Sequence, residues 1–62
     1  MIIELYGLAT CSRCKTARMM LEKRNIKFKY ITVAEHSDEL PILVIDKEKF
    51  SAKEALLKIR SL

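Results

Sequence analysis

Both cysteines of this chain fall within six residues, Thr10-Cys11-Ser12-Arg13-Cys14-Lys15, and no other feature limits its possible architecture so strongly. A strand-like run over 2–6 ends at Gly7, the sole glycine, and a helix-like pattern begins at the first cysteine. Two thiols separated by two residues on the first turn of a helix can close into a small disulfide ring and reopen. The free N–H groups and positive dipole end of a helix start favour an anion, so Cys11 is the expected thiolate and nucleophile. Cys14, one turn deeper, is expected to face the body of the protein and to resolve a mixed disulfide held on Cys11.

Sixty-two residues make one domain, 1–62, near the size at which a single apolar core is only just sufficient. Half the residues are hydrophobic and 32% charged, a composition that folds and does not stay disordered. No apolar run approaches the length of a membrane span, and Met1-Ile2-Ile3 is followed at once by Glu4, so neither a span nor a secretory leader is expected. The expected compartment is the cytoplasm. There a lone C-x-x-C is catalytic or metal-binding rather than a structural staple. The net charge of +4 raises the question of nucleic acid, but the basic residues are spread along the chain among Glu22, Asp46, Glu48 and Glu54, and no motif of the zinc-finger, cold-shock or RRM type is present. Neither nucleic acid nor a membrane is expected as a partner.

Taken in order, residues 2–6 read as a strand, residues 8–10 as a turn, and Thr10 as the N-cap of a helix from 11 to 24. Cys14, Ala17, Met20 and Leu21 recur at helical spacing and form its buried stripe. Asn25, tolerant of the left-handed conformation, closes the helix. Residues 26–33 alternate as a second strand, with Ile26, Phe28 and Tyr30 on one side, and a strand, helix and strand in so short a space imply a parallel pair. The polar stretch 34–39 is a loop, and His36 is read as a loop histidine rather than a ligand or base. Leu40-Pro41-Ile42-Leu43-Val44-Ile45 is the most apolar run and is expected to be a central strand buried on both faces. Asp46-Lys47-Glu48 is a turn, Lys49-Phe50 a brief strand, and Ser51 and Glu54 form a capping box for a last helix that buries Ala55, Leu56 and Ile59. The expected order is β-α-β-β-β-α.

With these residues in place the chain resembles glutaredoxin-type members of the thioredoxin fold along its whole length. The likeness is concentrated in the Cys11-Cys14 motif at a helix start, in Leu40-Pro41 heading an apolar strand about thirty residues later, and in the closing helix. The resemblance implies an α/β protein with a truncated thioredoxin fold: a mixed sheet with helices mainly on one face, and a loop where the family normally places a helix on the other. It also implies a cis bond at Leu40-Pro41, lying against the disulfide, and a site walled by Tyr6, Thr10, Arg13, Leu40 and Pro41. Three departures stand out: Ser12-Arg13 between the cysteines, Ser51-Ala52 in place of the family's Gly-Gly, and Leu40 before the proline. Arg13 is expected to stabilise the thiolate and to orient an acidic or thiol-bearing partner. The sheet face left without a helix is expected to carry Glu4, Lys27 and Lys29, in a monomer or a weak homodimer.

The function implied is that of a thiol–disulfide oxidoreductase acting on protein or mixed disulfides, with no cofactor beyond its own redox-active disulfide and with glutathione or a flavoprotein reductase as electron donor. A second resemblance, to small ferredoxin-like copper-chaperone modules, implies instead a non-catalytic C-x-x-C metal binder. Zinc would need four ligands, and two cysteines with a distant His36 do not supply them in one chain.

Overall fold

A computed structural model of the chain describes residues 1–35 and 37–62. His36, and its reading as a loop histidine, lie outside the described residues. The elements are β1 (Ile3–Gly7), α1 (Ser12–Lys23), β2 (Lys29–Thr32), β3 (Ile42–Ile45), β4 (Glu48–Ser51) and α2 (Lys53–Ser61).

The four strands form one mixed sheet in the order β2-β1-β3-β4. Parallel strands cannot be joined by a tight turn, and α1 supplies the crossover that sets β2 beside β1, with Leu5 opposite Tyr30 and Tyr6 opposite Ile31. The remaining pairs are antiparallel, Leu5 facing Leu43 and Leu43 facing Phe50. In a ferredoxin-like split β-α-β the first two strands are not neighbours, so the adjacency of β1 and β2 excludes that alternative architecture.

Strand alternation divides the sheet into two unlike faces. Ile3 and Leu5 of β1 and Leu43 and Ile45 of β3 pack with Ala17 and Leu21 of α1 and Ala55 and Ile59 of α2 in one buried core, so both helices cover the same face. Met20, Ile26, Phe28, Tyr30, Phe50 and Leu56 close its margins. The other face carries Glu4 and Tyr6 from β1 and Ile42 and Val44 from β3, all half-buried. The expectation that β3 is buried on both faces is therefore corrected: only Leu43 and Ile45 are fully enclosed, because no helix lies on the second side among the described residues. On that open face Glu4 is the register partner of Lys29, as expected, whereas Lys27 precedes the strand.

Three boundaries also move. The second strand covers Lys29–Thr32 rather than 26–33, since Ile26 is held by its N–H to the Leu21 carbonyl and serves the connection from helix to sheet. Asn25 does close α1, with φ of 57°, and its N–H bonds the Glu22 carbonyl. The capping box at Ser51 does not form. Ser51 stays in β4 opposite Ile42, and the N-cap of α2 is Ala52, which makes no side-chain capping bond. The β3–β4 turn is Asp46-Lys47, both at positive φ (46° and 78°), the conformation that matches the twist of a two-residue hairpin. The Asp46 carboxylate accepts from the Ile2 N–H at 2.8 Å and ties that turn to the start of β1.

Candidate active site

The site is built where β1 hands over to α1. After Gly7 the chain turns through residues 8–10, and the turn is closed by the Cys11 N–H bonding the Leu8 carbonyl at 3.2 Å. Cys11 is extended (φ −88°, ψ 116°) and is itself the N-cap: its Sγ accepts the Cys14 N–H at 3.3 Å. Thr10, expected to cap the helix, lies one residue too early and is an exposed turn residue. The correction changes the chemistry. A helix N-cap normally offers an oxygen to the third helical N–H, and here a sulfur takes that place, so the nucleophile receives the helix's free donor directly.

Burial pushes the Cys11 thiol up, but hydrogen bonds from Cys14 and from the Arg13 backbone, together with the positive charge of Arg13, outweigh it and hold the thiol below its ordinary value. Cys14 behaves in the opposite way. Burial first, then its hydrogen bond to Cys11 and the negative charge there, push it up to about 11. Cys14 is fully enclosed while Cys11 keeps 9% of its surface exposed, so only the sulfur that ionises readily can be reached from outside. Both cysteines are free thiols.

Leu40 packs with Cys11 and Cys14 in a buried cluster of its own, and Leu8, Val33 and Ile42 lie against it. The Leu40-Pro41 bond is cis, and Pro41 is buried. Arg13 is exposed on the first turn of α1. Tyr6 points to the open face of the sheet, where it lines a shallow depression of about 240 Å³ with Ile42, Val44 and Lys49. Its register partner Ile42, rather than Tyr6 itself, packs against the cysteine cluster. The structure thus gathers Cys11, Cys14 and Leu40, sets Pro41 next in the chain to Leu40, and leaves Tyr6 on the far face.

Two further residues belong to this corner. A Cβ on Gly7 would stand 2.7 Å from the Cys14 Cβ, 2.8 Å from the Cys14 Sγ and 2.8 Å from the Tyr30 hydroxyl. Gly7 is therefore glycine because two side chains crowd it, not because of its backbone angles. Alternation groups Tyr30 with Ile26 and Phe28 on one side of the strand. That its hydroxyl reaches the end of β1 depends on the register of β1 against β2, which the sequence does not carry.

Among the described residues no three His, Cys, Asp or Glu side chains converge as a metal-binding group, and no helix is long and apolar enough to cross a membrane. A family model described as glutaredoxin matches residues 3–58. Among solved structures the chain is similar to the glutaredoxin grx-1 of Archaeoglobus fulgidus, with a TM-score of 0.69 and 23% sequence identity over 90% of this chain and 80% of that one. At that identity the likeness is one of fold. No curated protein matches the chain.

Proposed function

The chain belongs to the glutaredoxin family, and from that premise we propose that it is a thiol–disulfide oxidoreductase that reduces protein or mixed disulfides, with Cys11 as the attacking thiol and Cys14 as the resolving one. The Cys11 thiolate attacks an exposed disulfide R–S–S–R′, forming Cys11–S–S–R and expelling R′S⁻. Cys14 then attacks the Cys11 sulfur, the bond to R breaks, and the second thiol leaves. The two cysteines end as a disulfide and the substrate has gained two electrons. Glutathione or a flavoprotein reductase in the cytoplasm restores the dithiol. Leu40 and Pro41 form the wall beside which the substrate lies, and Thr10 and Arg13 border its approach.

The observation that carries this reading is the capping bond from the Cys14 N–H to the Cys11 Sγ, which divides the pair into a readily ionised outer thiol and a protonated inner one. The test is a pair of variants in a mixed-disulfide reduction assay. Cys11→Ser is expected to abolish activity, and Cys14→Ser to accumulate covalent mixed disulfides with protein targets. Full dithiol activity in Cys14→Ser would refute the two-cysteine scheme.

A further inference from the structure

The reaction leaves one difficulty. Cys14 must lose its proton to resolve the mixed disulfide, yet it is the thiol that burial holds protonated. A backbone hydrogen bond from Leu8 offsets part of that cost, and burial still outweighs it. The neighbouring cation, Arg13, is exposed, and the helix's capping donor is already directed at Cys11.

The Tyr30 hydroxyl and the Cys14 Sγ each lie 2.8 Å from the point that a side chain at position 7 would occupy. They are therefore no more than twice that distance apart, and because residue 7 is glycine no side chain from that position stands between them. The Tyr30 ring is anchored on its own strand by the register with Leu5, and the Arg18 guanidinium sits 5.3 Å from its centroid. Resting on the two-cysteine reading above, we propose that Tyr30 is a positioning residue for the resolving step: its hydroxyl, meeting Cys14 across the gap at Gly7, donates a hydrogen bond to the Cys14 sulfur as the thiol becomes a thiolate.

In atoms, Cys11–S–S–R and Cys14–SH become the Cys11–Cys14 disulfide and RSH. The Cys14 proton ends on the departing thiolate, and the S–S bond to R breaks as the new one forms. Tyr30 neither gains nor loses a proton overall. The groups that act on this pair are Cys11, Arg13 and Arg18 from α1, the Leu8 backbone from the turn before it, which hydrogen-bonds the Cys14 sulfur, and Tyr30 itself from β2; Gly7 of β1 brings no charge. Burial and the charge at Cys14 both push the Tyr30 phenol up, against the opposing charge of Arg18, so it remains a donor throughout the neutral range.

The experiment is a stopped-flow reaction of the reduced full chain with 5,5′-dithiobis(2-nitrobenzoate), whose two equivalents of coloured thiolate report the steps in turn: the first is released when Cys11 attacks, the second when Cys14 resolves. Tyr30→Phe keeps the ring and its contact with Arg18 and removes only the hydroxyl. The expected result is a second phase slowed roughly tenfold, with its pH midpoint moved upward and the first phase unchanged. A second phase unaltered in rate and midpoint would overturn the proposal, as would equal slowing of both phases, the mark of a merely structural role. A second readout needs no turnover. In the Cys11→Ser background, Tyr30→Phe is expected to raise the pH midpoint of Cys14 alkylation, and an unmoved midpoint would count against Tyr30. If the unsubstituted chain releases one equivalent and forms no internal disulfide, the two-cysteine function itself fails and the proposal falls with it.

Discussion

Cys11 is at once nucleophile and helix cap, and the two roles reinforce each other because the donor that a cap must satisfy is also a donor to a thiolate. The reactive form of a thiol is its anion, so the alkylation rate of Cys11 should rise with pH to a midpoint below that of an ordinary cysteine thiol. Arg13→Gln removes a charge that favours the anion and should move that midpoint upward. Because Arg13 is exposed, the loss of rate at neutral pH should be only about two- to threefold. Iodoacetamide kinetics across a pH series measures both, and an unchanged midpoint in the variant would remove Arg13 from the account. Gly7 makes a different demand. An added methyl group would sit within 2.8 Å of Cys14 and Tyr30, so Gly7→Ala should cost about 1–3 kcal/mol in urea unfolding, as overpacked sites do. Gly7 was legible as a turn signal, but its crowding was not, since that arises from a side chain on a strand paired only through the crossover.

At the scale of elements, the sequence showed which segments are helix and which are strand more clearly than where each helix starts. The stripe of Cys14, Ala17, Met20 and Leu21 and the stop at Asn25 depend on periodicity and local backbone preference, and both stand in the structure, with Met20 half-buried at the stripe's margin. The two caps depend on tertiary contacts, and both fall one residue later than the best capping side chain. Thr10 gives way to Cys11, and Ser51 gives way to Ala52 because Ser51 is still paired with Ile42 in the sheet. The Ala52 N–H lies 2.8 Å from each of the Glu39 and Pro41 carbonyls, and these bonds hold its backbone at φ 49°, ψ −121°, a region natural to glycine and strained for alanine. Ala52→Gly should therefore stabilise the protein by about 1 kcal/mol despite the added freedom of its unfolded chain. Urea titration of the two proteins decides it; a destabilised glycine variant would mean that the strain is relieved elsewhere.

The whole molecule has one helix-covered sheet face and one open face, and nearly all its apolar cohesion comes from the covered side. A domain of 62 residues has a total stability of about 3–9 kcal/mol, so no central residue is dispensable. Leu43 is fully buried in β3 within the core that both helices share, and Leu43→Ala should cost about 2–5 kcal/mol, a large part of that total. Circular dichroism during urea unfolding should show its midpoint falling by roughly a fifth or more, and a smaller drop would mean that the open face contributes more than its exposure suggests. The alternation of β3 was visible in the sequence only as an unbroken apolar run; which of its residues face the helices follows from pairing with β1, not from composition.

All of these scales meet in the Cys11–Cys14 pair, and equilibrium titration of the reduced chain in glutathione buffers of stepped potential, read by mass spectrometry of acid-quenched samples, tests it most directly. The expected result is a single two-electron transition to a species two hydrogens lighter, reversible in both directions. A chain that stayed a dithiol across the range, or accumulated only glutathione adducts without closing the ring, would contradict the redox pair on which the account rests.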